Sequence, residues 1–247
     1  MMEFVVVIPA RYASTRLPGK PLRQINDKTM LEHVYQRAIE SAATEVVIAT
    51  DDQRIEAAVG EFGANVCMTG SHHRSGTERI AEVVDLMDWK SEQIVVNLQG
   101  DEPTMPAVVI NECAALLHDS SADLATLASP LASQQDFENP GVVKVIADEN
   151  MNAIYFSRAA IPYDRAQDGS DTARRAALHH HGIYAYRCRV LRRLVAAQAS
   201  DLENCEQLEQ LRALSLGLTI RVGQPSLRPG PGVDTEDDLV AVAAELA

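Results

Sequence analysis

Short β-branched runs alternate with segments of helical periodicity through the first 131 residues. Five runs predict strands: Phe4–Pro9, Glu45–Thr50, Asn65–Met68, Ile94–Leu98 and Asp123–Leu131. The segments between them repeat apolar residues with the period of a helix: 29–43, about 53–63, 77–87 and about 106–118. Strands that alternate with helices form crossover units, so this half predicts an α/β fold with a mostly parallel central sheet.

The pattern changes in the second half of the chain. Val142–Ala147 and Ala153–Ser157 flank an Asp-Glu-Asn turn and predict an antiparallel hairpin. The polar stretch 159–178 predicts an exposed excursion. The remaining predicted elements are a strand at Gly182–Arg187, helices at about 189–198 and 204–216, a strand at Leu218–Val222 and a closing helix at Thr235–Leu246 with a capping box of Thr235 and Asp238. Because no repeat and no long linker interrupts the pattern, we expect a single domain over 1–247.

Composition narrows the class of protein. The 247 residues carry a formal net charge of -13, which argues against a general nucleic-acid or membrane-surface binder. The four cysteines lack the spacing of a zinc site or a redox pair, and we expect reduced thiols. No window approaches a membrane span and no signal peptide is evident, so a cytoplasmic protein is expected.

The loop after the first strand, "PARYASTRLPGKPL", concentrates positive charge in an acidic chain. A loop in this position lies at the carboxyl edge of a parallel sheet, where such folds bind ligands. Hydroxyl groups, a glycine and successive backbone N–H groups suit a phosphate, and Arg16 and Lys20 add charge-assisted hydrogen bonds. The loop matches neither the Walker P-loop nor the dinucleotide glycine fingerprint. It predicts a phosphate site of another kind.

Two acidic motifs predict a magnesium site. Asp101 follows a central strand in "NLQGDEP", and Asp234 precedes the last helix in "GPGVDTEDDL". Mg²⁺ is commonly held by one or two carboxylates together with water and substrate phosphates. Each aspartate alone is also explained as part of a turn or a helix start, so the hypothesis depends on the two meeting.

Two further motifs are candidates for ligand contact. Ser75 in "HHRSGTER" lies at a predicted helix N-terminus, where it can bind a base or phosphate or simply cap the helix. The run His179–His181 is not a metal tract, because consecutive strand residues point to opposite faces. At most one of these histidines is expected to touch a ligand.

The ordered set of motifs resembles the 3-deoxy-manno-octulosonate cytidylyltransferase family, also called CMP-Kdo synthetases. The resemblance runs from "VVVIPARYASTRLPGKPL" through "SGTERIAEVV", "VVNLQGDEP", "YFSRAAIPYDR", "HHGIYAYR" and "ENCEQLEQLRAL" to "GVDTEDDL". This family transfers CMP from CTP to the eight-carbon acid sugar Kdo, releases pyrophosphate and supplies the inner core of lipopolysaccharide. The resemblance implies a Rossmann-like nucleotidyltransferase fold, with 1–131 mainly binding nucleotide and 132–247 mainly serving the sugar and dimerisation.

The resemblance also implies roles for individual residues. CTP would be contacted by Ala10, Arg11, Ser14, Thr15, Arg16, Lys20 and Ser75. Mg²⁺ would be held by Asp101 and Asp234, and the catalytic set would be Arg16, Lys20 and Asp101. The sugar would be surrounded by Gln99, Arg158, His180, Tyr184, Glu209 and Gln210. A homodimer is implied. The chain departs from the family pattern at His179, commonly Lys or Arg, at His181, commonly apolar, and in the length and character of 164–178.

Besides an oxidoreductase with a dinucleotide fold, which the missing glycine fingerprint disfavours, two other kinds of function stay open at this stage. One is a different sugar nucleotidyltransferase, for example one that makes CMP-sialic acid or uses UTP. The other is a non-catalytic nucleotide-binding regulator, against which the paired carboxylates argue, since binding alone does not require a metal clamp.

Overall fold

The computed structural model describes residues 2–14, 16–166 and 170–246. The strands are β1 Phe4–Pro9, β2 Gln24–Ile25, β3 Lys28–Thr29, β4 Glu45–Thr50, β5 Asn65–Met68, β6 Ile94–Asn97, β7 Leu124–Pro130, β8 Lys144–Ala147, β9 Ala153–Ser157, β10 Leu178–Arg187 and β11 Ile220–Gly223. The helices are α1 Met30–Ile39, α2 Gln53–Glu61, α3 Gly76–Leu86, α4 Ala107–His118, α5 Gln134–Glu138, α6 Thr172–Ala176, α7 Cys188–Ala196, α8 Asp201–Glu206, α9 Gln210–Ser215 and α10 Glu236–Glu245, and a 3₁₀ turn covers Lys20–Leu22.

The central sheet has the strand order β11-β7-β10-β6-β1-β4-β5, and the hairpin of β8 and β9 joins it through β10. Strands β6, β1, β4 and β5 are mutually parallel, whereas β10 runs antiparallel to both β6 and β7. The predicted α/β class with a mostly parallel sheet is confirmed. A strand from the second half of the chain thus lies between two strands of the first half.

Helices cover both faces of the sheet because alternate residues of the strands are apolar on both sides. Phe4 and Val6 of β1 pack with α1, α2 and α4, while Val5 and Val7 pack with α3, α7 and α9. These four side chains are at most 4% exposed. Burial of an aliphatic side chain contributes roughly 1.5–3 kcal/mol, so the continuous apolar run of β1 stabilises the centre of the molecule.

The register of β1 and β6 brings two loops to one edge. Val7 pairs with Asn97 in the parallel ladder, and the Leu98 N–H donates to the Val7 carbonyl at 3.1 Å. The chain therefore leaves both strands at the same level. The first loop and the loop that contains Asp101 start side by side.

Most predicted elements are confirmed, and the helix over 204–216 is wrong. Two short helices, α8 and α9, replace it because Gln207 adopts a left-handed conformation with φ 54°. Glu203 completes the capping box of α8 with the N-cap residue Ser200 and accepts from the Arg212 Nε at 2.7 Å across the break, which ties the two helices together. β10 is longer than predicted and includes all three consecutive histidines. The small β2–β3 hairpin and α5 carry too few apolar residues to show a period.

No helix in the described part of the chain combines the length and apolarity that a membrane-spanning segment needs.

Candidate active site

A cavity of about 400 Å³ opens at the carboxyl edge of β1 and β6. Ten of the residues that the sequence nominated line it: Ala10, Arg11, Ser14, Arg16, Lys20, Ser75, Gln99, Asp101, Glu209 and Asp234. Thr15, also nominated, lies outside the described residues. Segments that are far apart in the chain thus meet around one space.

The first loop is held in shape by its own residues. Leu17 is 2% exposed, and its N–H donates to the Ser14 hydroxyl at 3.3 Å. Gly19 has φ 65°, a left-handed conformation that favours glycine, and the 3₁₀ turn begins at the next residue. The buried Leu17 and the turn at Gly19 fix the backbone on which Lys20 stands.

Lys20 joins the two predicted metal ligands. Its Nζ lies 2.6 Å from Asp101 Oδ2 and 2.9 Å from Asp234 Oδ1, and an Arg16 guanidinium nitrogen lies 2.9 Å from the same Asp234 oxygen. Burial alone would lower the pKa of Lys20, but the carboxylates of Asp101 and then Asp234 outweigh it and raise that pKa above its ordinary value. The ammonium group is therefore charged at neutral pH.

Local backbone contacts place the two aspartates. The Val233 N–H donates to the Asp101 carbonyl at 2.9 Å, which joins the two loops directly. The Asp234 N–H donates to Asp238 Oδ2 at 3.0 Å, and Thr235 and Asp238 form the predicted capping box of α10. The helix start thus sets the position of Asp234, in keeping with the expected capping geometry.

The donor set fits a magnesium ion. Asp101 and Asp234 supply carboxylate oxygens close enough to share one ammonium group, and hard oxygen donors are what Mg²⁺ binds. Among the described residues, no group of three or more His, Cys, Asp or Glu side chains surrounds one point. Two carboxylates are the number that Mg²⁺ commonly takes from a protein when substrate phosphates complete its shell.

Arg79 is a cavity residue that the sequence reasoning did not single out. It is 4% exposed, and its guanidinium contacts Asp51 at 3.1 Å and the Thr69 hydroxyl. It lines the cavity beside Ser75, the N-cap residue of α3, which is four residues earlier in the chain. That i, i+4 spacing inside "SGTER" was a signal that could have found it.

Only two of the six residues predicted to surround the sugar line the large cavity. Gln99 and Glu209 line the cavity, whereas Arg158, His180, Tyr184 and Gln210 do not. The Arg158 Nε donates to the Glu206 carbonyl at 2.8 Å, and one of its terminal nitrogens donates to the Pro140 carbonyl at 3.1 Å. Its guanidinium is therefore engaged by the backbone.

A second, small cavity continues from Glu209, which lines both spaces. Gln210 and Tyr186 line it, and the Tyr186 ring stacks on Tyr184 at a centroid distance of 5.7 Å. The Tyr184 hydroxyl and the Gln210 side-chain nitrogen are buried without a hydrogen-bond partner among the described residues. Buried polar groups are normally paired, so the Gln210 nitrogen, in the lining of this cavity, is available to a polar ligand, whereas Tyr184 lines neither cavity.

His180 is a buried neutral side chain. The Thr126 hydroxyl donates to the Ile183 carbonyl at 2.7 Å, so it accepts from His180 Nε2 at 3.1 Å. Burial, followed by the neighbouring His181, lowers the pKa of His180 to about 3. The rings of His179 and His181 lie 5.0 Å apart, while His180 packs against Phe156 and Tyr184. The expected alternation of the three histidines is confirmed.

Comparison with known proteins places this geometry in a family. The profile described as "Cytidylyltransferase" matches residues 5–220. The 3-deoxy-manno-octulosonate cytidylyltransferase of Pseudoalteromonas atlantica is 51% identical over 249 residues, covering 99% of this chain and 98% of the relative. The enzyme of the same name from Halorhodospira halophila is 51% identical, covering 98% and 96%.

Solved structures agree with the sequence relatives. CMP:2-keto-3-deoxy-manno-octonic acid synthetase in complex with CTP is 41% identical and superposes with a TM-score of 0.87 over 99% of this chain and 98% of that chain. 4-Diphosphocytidyl-2C-methyl-D-erythritol synthase, at 16% identity and a TM-score of 0.66 over the whole of both chains, shares the fold. The chain belongs to the 3-deoxy-manno-octulosonate cytidylyltransferase family of nucleotidyltransferases.

Proposed function

We propose that this protein transfers CMP from CTP to 3-deoxy-manno-octulosonate (Kdo), giving CMP-Kdo and pyrophosphate for the inner core of lipopolysaccharide. The observation that carries the proposal is the meeting of Lys20, Asp101 and Asp234 at the wall of one cavity. The names of the relatives and the CTP complex of the structural neighbour support the choice of substrates.

The nucleotide occupies the large cavity in this proposal. Arg11, Arg16 and Lys20 bind the triphosphate, and Ser14 and the backbone at Ala10 complete the phosphate contacts. Ser75 and the buried Arg79 lie on the α3 side, where the fixed guanidinium can donate to the cytosine carbonyl oxygen. Asp51 holds that guanidinium in place and limits its side-chain freedom.

The reaction is an in-line attack by the anomeric hydroxyl of Kdo on the α-phosphorus of CTP. A bond forms between the anomeric oxygen and the α-phosphorus, the bond to the bridging oxygen of pyrophosphate breaks, and the hydroxyl proton leaves to solvent. The protein aligns the reactants and neutralises negative charge on the phosphate oxygens. Loss of one such preorganised donor, Arg16 or Lys20, should raise the barrier by about 3 kcal/mol.

Asp101 and Asp234 would hold Mg²⁺ during the reaction. When bound, this ion supplies charge stabilisation of phosphate oxygens and lowers the pKa of a coordinated hydroxyl. Gln99 and Glu209 line the side of the large cavity that we assign to the sugar, and the unpaired Gln210 nitrogen lies in the small cavity beyond Glu209. Arg158 remains our candidate for the Kdo carboxylate, since a guanidinium can bind it with two hydrogen bonds. That contact requires Arg158 to give up a backbone carbonyl.

Pyrophosphate release with CTP and Mg²⁺, measured with and without Kdo, tests the proposal. We expect release only when Kdo is present, and Asp101→Asn should lower it at least a hundredfold without lowering the melting temperature. Asp119→Asn, on the exposed end of α4, is the matched control and should behave as wild type. Normal CMP-Kdo formation by Asp101→Asn would remove the metal assignment.

A panel of acid sugars and nucleotides tests specificity within the same chemistry. We expect CTP with Kdo to react far better than CTP with sialic acid or UTP with Kdo. CTP binding without pyrophosphate release under every combination would instead identify a regulator.

The proposal includes one domain over 1–247, a homodimer and a cytoplasmic location. The placement of β10 between β6 and β7 supports the single domain, because the sheet is incomplete without the second half of the chain. Four free thiols are in keeping with the cytoplasm. Exposed apolar side chains at Ile154 and Tyr163 support an association surface on the second half.

A further inference from the structure

The Lys20 ammonium group lies deeper than the carboxylates that it joins. Its side chain is 12% exposed, compared with 36% for Asp101 and 47% for Asp234. Arg16 reaches Asp234 from outside, with a side chain that is 66% exposed. The carboxylates therefore share an internal counter-ion, and an external cation meets them only from the cavity side.

A lysine and a divalent ion compete for the same oxygens. An ammonium group has three donors and no acceptor, so it binds the two carboxylates in place of a metal ion and cannot itself coordinate one. The Lys20 Nζ lies 2.6 Å from Asp101 Oδ2 and 2.9 Å from Asp234 Oδ1, so it occupies the position from which a divalent ion would bind both oxygens. A divalent ion that binds this pair of oxygens must therefore displace the ammonium group.

We propose that Lys20 is a placeholder for the divalent ion, which keeps the metal out of the Asp101–Asp234 pair until a nucleoside triphosphate is bound. This inference rests on the proposed function, because it takes the two aspartates as the metal ligands. The phosphates offer the ammonium group new acceptors along the same cavity wall, which Arg11 and Ser14 also line. The carboxylates are then free, and metal binding becomes coupled to nucleotide binding.

The placeholder also keeps the site assembled when it is free. Without a cation between them, two carboxylates from segments 133 residues apart in sequence would repel each other. Lys20 holds both side chains in place by direct contact. The site therefore meets its nucleotide with the ligands already positioned and their charge already balanced.

Titration of Mn²⁺ into nucleotide-free protein, followed by electron paramagnetic resonance of the free ion, tests the inference. We expect weak binding by wild type and at least tenfold tighter binding by Lys20→Met, a gain that Asp101→Asn in the same chain abolishes. Arg16→Met is the matched control: it removes an equal charge from Asp234 but leaves the Lys20 bridge, and its gain should be under threefold. Equal gains in Mn²⁺ affinity in the two variants would mean that only the change in net charge matters, and this result would overturn the proposal.

Wild type provides a test that no folding defect can affect. Mn²⁺ binding by nucleotide-free wild type as tight as in the presence of CTP, and lost in Asp101→Asn, would also overturn the placeholder. If circular dichroism shows that Lys20→Met does not fold, Lys20→Gln, which keeps a polar side chain, takes its place. If neither variant folds, the comparison of wild type with Asp101→Asn decides alone.

Water-proton relaxation with Mn²⁺ and CTP separates the two proposals. Enhancement in CTP-loaded wild type that Asp101→Asn removes supports the metal pair of the proposed function. That result together with no gain in nucleotide-free Lys20→Met would remove the placeholder alone. No Mn²⁺ bound at the pair in any protein, with or without CTP, would remove the metal assignment itself.

Discussion

Several lysine and arginine side chains of this protein are largely buried, and each has a hydrogen-bond acceptor beside its charged group. Lys20 and Arg79 are both well shielded from solvent. A carboxylate group holds each of them at the cavity wall, that of Asp101 for Lys20 and that of Asp51 for Arg79. Lys144, which is 0% exposed, has its ammonium group bound instead by the carbonyls of Asn139, Val142 and Arg158 at 2.6–2.9 Å. Buried charge is tolerated here because each donor meets an acceptor. Lys20 and Arg79 are thus held in place before any ligand arrives.

Two neutral histidines should make stability depend on pH. Burial lowers the pKa of His180 and of His181 to about 3, with smaller effects from neighbouring histidines. Their pKa is lower in the folded than in the unfolded chain, so the unfolded state binds more protons between pH 3 and 6.5, and stability falls as the pH falls through that window. Each histidine should lower the free energy of unfolding by about 1.4 kcal/mol for each pH unit below 6.5.

Urea unfolding of His181→Gln at pH 7 and pH 5 measures this dependence. The variant should lose about 2 kcal/mol less than wild type between the two values. Ser129→Ala removes the hydroxyl that contacts His181 Nε2 at 2.8 Å but keeps the titrating ring, so its loss should match that of wild type. Identical pH dependence in wild type and His181→Gln would contradict the assignment.

At the scale of elements, the edge of the sheet that holds the active site depends on the close backbone approach of two loops and on the N-terminus of α10. The loops after β1 and β6 lie against each other, and α10 begins at the residue after Thr235. These contacts involve main-chain atoms, which sets their positions more strictly than side-chain packing alone.

Gly100→Ala should separate the two loops. A Cβ at this position would lie 2.9 Å from the Pro9 carbonyl oxygen, so backbone must shift. We expect a loss of about 1–3 kcal/mol in urea unfolding and at least tenfold slower pyrophosphate release. Gly60→Ala in α2, where a Cβ meets nothing within 4 Å, should keep its activity and gain up to about 1 kcal/mol. Full activity in Gly100→Ala would show that the approach of the loops is not required.

Thr235→Ala should affect activity more than stability. The substitution removes the cap of α10 and costs about 1 kcal/mol of unfolding free energy. It also removes the hydroxyl that donates to Asp238 Oδ2 at 2.8 Å, the oxygen that accepts from the Asp234 N–H, so the magnesium concentration for half-maximal activity should rise severalfold. Thr235→Ser keeps the hydroxyl and should restore both values. A normal magnesium requirement in Thr235→Ala, at a temperature well below melting, would exclude this role for the cap.

At the scale of the whole molecule, charge is distributed unevenly. The chain carries a formal net charge of -13, yet arginine and lysine residues gather at the cavity. The acidic remainder disfavours unspecific binding of polyanions, while the local cations suit the triphosphate of the proposed nucleotide site. Selectivity for a small anionic ligand follows from this contrast.

Ile154→Asp should weaken the proposed homodimer. Ile154 is 59% exposed on β9, which pairs in the sheet with β8 and lies at its edge. Sedimentation velocity should show a shift from dimer to monomer. Val240→Asp, at an equally exposed apolar position of α10 with 66% exposure, should leave the dimer intact. A dimer that withstands Ile154→Asp would place the interface elsewhere.

The sequence was most informative where one local pattern decides the outcome. The bounds of β1, β4 and β5 are confirmed to the residue because each is a short apolar run between polar turns. The helix at 204–216 was mispredicted because a single left-handed residue, Gln207, divides a continuous apolar pattern. Arg79 was missed because its partner, Asp51, follows a different strand.

By itself, the sequence determined the order of most strands and helices, the anionic nature of the ligand and the family, because periodicity, charge and motif order are properties of the chain read locally. The tertiary structure alone decided that β10 lies between β6 and β7 and that Lys20 joins Asp101 to Asp234. Those facts depend on distances between segments 81 and 214 residues apart, which follow from the packing of the sheet. Spacing along the chain does not specify them.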